Sequence, residues 1–195
     1  MKYAFIFLLV LAVEQILSPI LDHNVNYVAR LVILLEIVFP EMALTGKLST
    51  EIAIHSPASK FFDLVTKKMH HVQNICERVH AGKLHEGDDW HSVGGSVKHW
   101  TYVIDGKVTT SKETIESIDE KNKIVIFKLF DGDIDQRYKA FKVIFQVIEN
   151  NNNGSGSAKW IVEYEKVNDD VEAPYGYMEY FDKFTKDIDA HLLEA

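Results

Sequence analysis

Residues 174–193 read P-Y-G-Y-M-E-Y-F-D-K-F-T-K-D-I-D-A-H-L-L. Tyr177, Phe181, Phe184, Ile188 and Leu192 recur at steps of four, three, four and four, which places bulky apolar side chains on one helical stripe. Glu179, Asp182, Lys183, Lys186, Asp187 and Asp189 fall off that stripe, and Glu179 with Lys183 and Asp182 with Lys186 form acid-first i,i+4 pairs. The expected product is a long amphipathic helix with one wet face. At about 1.5 Å per residue it spans roughly 28 Å, about the length of a nine-residue strand at ~3.3 Å each. One such helix can lie across a whole sheet, and the sequence upstream must supply that sheet.

The chain has 195 residues, 47% hydrophobic and 26% charged, with a formal net charge of -8. These proportions fit one globular domain plus an appendage. The acidic balance argues against nucleic acid as a partner, because phosphate binding is driven by clustered Lys and Arg. Cys76 is the only cysteine, so no internal disulfide is available and a reduced, cytoplasmic setting is the expectation.

Residues 1–41 differ in kind from the rest. Lys2 precedes the apolar run 3–13, which has the n-region and h-region of a secretory signal and is too short to span a membrane. Glu14 and Pro19 interrupt the pattern, Glu36 sits inside a second apolar stretch at 31–39, and no clean small-x-small cleavage site follows. Three readings stay open: a signal or anchor that would direct the chain to the secretory pathway, an upstream extension of the gene model, and a structural part of the domain. Met42 reads as a natural start, which makes 42–195 the expected folded domain. Asn153-Gly154-Ser155 is a glycosylation sequon, expected to be unused in an intracellular protein.

From Leu44 the pattern becomes regular. Residues 44–54 read as a first strand, Ser56-Pro57 as a helix start with Ser56 as N-cap, and Phe61, Phe62, Leu64 and Val65 as the buried side of a short helix. A second short helix is expected over 67–74. Six strands follow, over 77–81, 96–104, 107–118, 123–130, 135–148 and 157–167. Tight turns such as Asp105-Gly106 separate them, so the sheet is antiparallel.

Alternation assigns one inward face to Lys98, Trp100, Tyr102 and Ile104 on one strand, and to Val125, Phe127 and Leu129 on another. Phe141, Val143, Phe145 and Val147 share it, as do Ala158, Trp160, Val162 and Tyr164. Ile124, Ile126, Phe130 and Ile144 fall on the opposite parity.

The order of elements resembles the helix-grip, START-like fold of the birch-pollen-allergen and pathogenesis-related class 10 superfamily. G-K-L-S-T-E at 46–51, F-F-D-L at 61–64, H-E-G-D at 85–88, G-S-V-K-H-W at 95–100, D-G-K at 105–107 and T-K-D-I-D-A-H-L-L at 185–193 are similar to the plant major latex protein branch. The resemblance covers 42–195. It implies an α+β fold in which a curved seven-stranded antiparallel sheet and two short helices grip the C-terminal helix around a large internal cavity. It further implies binding of hydrophobic or amphipathic small molecules, a link to plant defence and stress, and no obligatory cofactor or catalysis. A minority of relatives are enzymes on alkaloid-like substrates, and a protein partner in defence signalling is a further reading.

On that resemblance the ligand-contacting set is Lys98, Trp100, Tyr102, Glu113, Val125, Phe127, Leu129, Phe141, Val143, Phe145, Trp160, Val162 and Tyr164 on the sheet. Tyr177, Phe181, Phe184 and Ile188 join it from the helix. Aromatic walls with a few polar groups suit a binding pocket and equally a solid core. The loop 85–95 holds glycines and acids but no Lys or Arg, so it reads as a hairpin loop or lid and not as a phosphate cradle. His70, His71, His80, His85 and His91 lack metal-ligand spacing, and His70 and His71 are expected to point apart. Asp189 and His191 could form an acid–base pair near the helix end; the plainer expectation is that both face solvent.

Overall fold

The computed structural model describes residues 44–150 and 155–194, and the expectations for residues 1–41 and for the Asn153 sequon lie outside them. Thr45–Ala195 forms a compact unit. Alternation is realised as β1 (Thr45–Ile54), β2 (Val79–Glu86), β3 (Val97–Ile104), β4 (Lys107–Asp119), β5 (Ile124–Phe130), β6 (Tyr138–Glu149) and β7 (Gly156–Lys166). Between β1 and β2 lie α1 (Ala58–Lys67) and a 3-10 helix (Met69–Asn74), and α2 (Tyr175–Glu194) ends the chain. The order β1-β7-β6-β5-β4-β3-β2 makes one antiparallel sheet in which the first strand pairs with the last.

The second strand was expected over 77–81 and forms two residues later at its start and five later at its end. Glu77 and Arg78 are taken up by a turn, with the Val79 N–H donating to Cys76 O (3.0 Å). Gly82 belongs to this strand for a packing reason, because a Cβ there would overlap the six-membered ring of Trp100. At the β3–β4 hairpin, Asp105 and Gly106 adopt φ of 51° and 72°, the doubly positive turn that matches strand twist.

The inward face is as alternation predicts for Lys98, Trp100, Tyr102, Val125, Phe127, Leu129, Phe141, Val143, Phe145, Trp160 and Val162, all buried; Tyr164 is half-buried. The opposite-parity residues Ile124, Ile126, Phe130 and Ile144 are partly exposed. In β4 a bulge between Ile115 and Ser117 resets the parity, so both Ile115 and Ile118 pair with inward residues, Phe127 and Val125. Glu116, the extra residue, turns outward and pairs with Lys142 at 2.7 Å.

α1 buries Phe61, Phe62, Leu64 and Val65, with Phe61 and Phe62 packed on Phe145 of β6. Ser56 does not cap it. Pro57 holds the N-cap position without a side-chain bond, and the Ser56 N–H donates instead to Asp189 Oδ1 of α2 at 2.8 Å. The His55 N–H donates to both oxygens of the same carboxylate at 3.0 Å. Asp189 is therefore buried, at 8% exposure, and not on the wet face as expected; its ring partner is His55 (3.3 Å). His191 is exposed. Partial burial raises the Asp189 carboxyl, but hydrogen bonds from Ser56 and His55 outweigh that and hold it below the usual range.

The α2 stripe lies against the sheet as its periodicity requires: Tyr177, Phe181, Phe184 and Ile188 are buried, and Leu192 partly so. On its outer side Lys186 pairs with Asp182 (2.7 Å) as expected. The pair expected between Glu179 and Lys183 does not form. Glu179 reaches Arg78 (2.6 Å), while Lys183 sits between Asp187 (2.7 Å) and Glu77 (3.0 Å). Both connections tie the segment before β2 to the helix.

Candidate functional site: an aromatic cavity under the C-terminal helix

Between the sheet and α2 a cavity of about 50 Å³ is lined by Met69, Val72, Val79, Trp100, Tyr102, Ser111, Glu113, Phe127, Leu129, Val143, Trp160, Tyr177, Tyr180, Phe181 and Phe184. The expected large cavity is thus nearly closed. It has room for a few waters, at roughly 10–15 Å³ each, and not for the ~300 Å³ or more of a typical ligand pocket. Aromatic contact fills the difference. Trp160 stacks on Phe181 with ring centroids 4.4 Å apart and planes 2° from parallel, Phe145 lies behind Trp160 at 4.3 Å, and Phe184 meets it edge-on at 5.6 Å.

Of the residues expected to contact ligand, Trp100, Tyr102, Glu113, Phe127, Leu129, Val143, Trp160, Tyr177, Phe181 and Phe184 are brought together on this wall. Val125, Val162 and Ile188 are fully buried core, and Phe141 packs between Tyr138 and Tyr177. Tyr164 stands against Tyr138 over Gly46. Lys98 stands behind the wall, with Nζ 4.0 Å from Glu113 Oε1.

Ser111 and Tyr180 were legible but overlooked. Ser111 shares the parity of Glu113, and Tyr180 is three residues from Tyr177 and four from Phe184. Met69 and Val72 come from the 3-10 helix, and Val79 opens the displaced strand β2. Nothing in their local pattern announces the cavity.

Two polar features interrupt the aromatic lining. One is a chain of hydroxyls: the Tyr177 and Tyr102 oxygens are 2.8 Å apart, and Tyr102 donates to Ser111 Oγ at 3.2 Å. Burial pushes Tyr102 up to about 12, and Tyr177 and Tyr180 well above the phenol range, so all three stay protonated donors. The other is Glu113 with Lys98. Burial pushes the Glu113 carboxyl up to about 7 against the pull of Lys98 and the facing Trp100 N–H. Burial also lowers the Lys98 ammonium, opposed by Glu113 and Asp89. Lys98 Nζ, Trp100 Nε1 and Glu113 Oε1 are buried without a hydrogen-bond partner among the described residues.

The loop between β2 and β3 closes on this end. Trp90 meets Trp100 edge-on at 5.6 Å, and the Gly94 N–H donates to Ile115 O of β4 (2.8 Å). His70 and His71, expected to point apart, are 4.0 Å apart between ring centroids. His91 and Trp90 of the loop pack on His70 at 5.5 and 5.9 Å. Burial, with His71 and His91 adding, lowers His70. Among the described residues no group of three or more His, Cys, Asp or Glu is placed to hold a metal ion. Cys76 is buried and its thiol is pushed up to about 12 by burial, which makes it an inert core residue.

A wider, more polar groove of about 290 Å³ lies at the turn end of the sheet, lined in part by Lys107, Asp133, Arg137 and Tyr138. Tyr177 borders both spaces.

A seven-stranded antiparallel sheet holding one long helix over an aromatic cavity defines the helix-grip class of folds. Within it, this chain belongs to the pathogenesis-related protein Bet v 1 family, whose pattern it matches over residues 43–195. MLP-like protein 43 of Arabidopsis thaliana is 38% identical over 152 residues, 77% of this chain and 95% of that protein. The crystal structure of ginseng major latex-like protein 151 from Panax ginseng superposes with a TM-score of 0.72 at 36% identity, covering 77% of this chain and 99% of that one. A norcoclaurine synthase from Thalictrum shares the fold at 14% identity, with a TM-score of 0.60 over 77% of this chain and 95% of that one. Among the described residues no helix is long and apolar enough to cross a membrane.

Proposed function

We propose that this protein binds a hydrophobic or amphipathic small molecule non-covalently in the cavity under α2, as a carrier or sensor of a plant metabolite, lipid or hormone-like compound in defence or stress. One observation carries the reading: an aromatic wall interrupted by a buried hydroxyl chain and a buried carboxyl–indole pair left unsatisfied among the described residues. A core under selection for stability alone leaves few buried polar atoms unpaired, since each costs about 1–3 kcal/mol.

Because only about 50 Å³ is open, a ligand enters by displacing side chains. The Trp160–Phe181 stack and Tyr180 are what must move, with α2 or the Trp90 loop giving way. The test is native mass spectrometry of the protein taken from its own tissue, paired with titration of an environment-sensitive apolar dye against tryptophan fluorescence. A co-purified apolar mass and saturable dye quenching are expected; protein with no adduct and no dye uptake would remove the reading.

Residues 42–195 are the binding unit in this reading, and the compartment is the cytosol. A 42–195 chain should unfold cooperatively and take up dye as the full chain does, and Asn153 from source tissue should carry no glycan. A second reading, acid–base catalysis on the bound molecule, is favoured by a buried Glu113 pushed up to about 7 beside Lys98. Recovery of the co-purified molecule chemically unchanged after incubation separates binding from turnover.

A further inference from the structure

Three buried polar atoms converge at one end of the cavity, and their chemistry restricts what can sit there. Glu113 and Trp100 both line the space at 6% and 5% exposure. Glu113 Oε1 and Trp100 Nε1 lack a hydrogen-bond partner among the described residues, although the indole N–H faces the carboxyl. Lys98 lies behind them, 1% exposed, at 4.0 Å from Glu113 Oε1. That is close enough for Coulomb attraction and too far for a hydrogen bond. The site thus offers one acceptor and one donor side by side, with the charge already balanced.

We propose that the ligand of this cavity carries a hydroxyl, phenolic or alcoholic, on a flat apolar body, seated so that it donates to Glu113 Oε1 and accepts from the Trp100 indole N–H. The inference rests on the binding reading above and names its ligand class. A hydrocarbon leaves both atoms unpaired, and an ether or ketone satisfies the indole and leaves the carboxylate bare. An ammonium adds a second cation within reach of Lys98, and a carboxylate meets Glu113 unless a proton is taken up. A hydroxyl alone suits the carboxyl in either protonation state, because it donates to the ionised form and accepts from the neutral one. Ser111 Oγ extends the polar strip on the same strand, since it already accepts from Tyr102 and keeps its own proton to offer. The faces of Trp100, Phe127, Trp160, Tyr180 and Phe181 suit a ring system on the other side.

The experiment uses the full chain and four probes of one size class, naphthalene, 2-methoxynaphthalene, 2-naphthol and 2-naphthoate, each displacing an apolar dye. 2-Naphthol should bind about tenfold tighter than naphthalene and 2-methoxynaphthalene, the size expected of a hydrogen bond to a charged acceptor. Glu113→Gln, which keeps the side-chain shape, and Trp100→Phe, which removes the indole N–H together with part of the ring, should each shrink that preference. The paired change Lys98→Met with Glu113→Leu, which removes both charges together, should abolish it. Equal affinity for 2-naphthol and 2-methoxynaphthalene, or tightest binding of 2-naphthoate, overturns the hydroxyl and leaves the cavity reading standing. Dye binding that no probe displaces has the same consequence, whereas failure of the dye itself to bind overturns both.

Discussion

Trp160 and Trp100 occupy equivalent places on one inward face, and they are treated in opposite ways. The Trp160 Nε1–H donates to Thr185 Oγ1 of α2 at 2.9 Å, and its ring is sandwiched between Phe145 and Phe181. The Trp100 N–H has no such partner, and its ring leans on Trp90 of a surface loop across a strand kept bare by Gly82. One end of the cavity is finished as core, and the other is finished only when something else arrives. The difference teaches that burial by itself does not separate core from site; an unmet hydrogen bond does.

Phe181→Ala strikes the finished end and should cost the most, about 4 kcal/mol by denaturant unfolding. It should also weaken dye binding, because the stack it breaks borders the cavity. Unchanged dye affinity in the protein that remains folded would mean that this end is solid core and that the two ends are less alike than their positions imply.

At the unfinished end, Lys98→Met leaves Glu113 buried without its cation and should cost about 3 kcal/mol at pH 8. Adding Glu113→Leu should return most of it. The sign with pH follows from the carboxyl being raised to about 7 against an unfolded value of 4.5. The native state binds the extra proton between those values, so stability falls as pH rises through them. The Lys98→Met penalty should therefore shrink at pH 5, where Glu113 is neutral. A loss equal at both pH values would show that Glu113 is not the group left unpaired.

Asp189→Ala removes the carboxylate that ties the β1–α1 turn to α2 and should cost about 2 kcal/mol. Its folded carboxyl is held low, so its contribution is present above the unfolded value near 3.8 and is lost as pH falls through and below it. Thermal scans of wild type and variant from pH 7 to pH 3 should converge. This anchor lies outside the cavity, and dye affinity should not move.

The smallest effects make the sharpest contrast. Trp160→Phe and Trp100→Phe lose the same ring volume, and Trp160→Phe should cost about 1 kcal/mol more, because it also breaks the bond to Thr185 whereas the Trp100 N–H is already unpaired. Equal losses from the two would erase the distinction between the two indoles.

Much of this architecture was legible in the chain. Period two placed Trp100, Phe127, Phe145 and Trp160 on one face, and the 3.6-residue period placed Phe181 and Phe184 on the opposing stripe. The displaced β2 was not legible, since residues 77–86 carry little alternation and their pairing is decided by Gln73, whose side chain accepts from the Gly82 N–H at 3.0 Å, and by the ring of Trp100. The His70–His71 contact was not legible, because adjacent side chains on a helix diverge and the residues that pack on His70, Trp90 and His91, come from a loop farther along the chain.

By itself the sequence determined which side chains face inward, because backbone periodicity depends only on local geometry. It determined the antiparallel order through its turns, and the family through motifs in their order. Tertiary structure alone decided which inward groups find partners. Asp189 looked like a wet-face acid until α2 set it against the N–H groups of His55 and Ser56, and Trp100 and Trp160 looked alike until that helix brought Thr185 to one of them. A hydrogen bond needs its two atoms within about 3.2 Å and aligned, and that depends on how the helix is set along the sheet, a relation between residues more than a hundred positions apart in the case of Asp189 and His55.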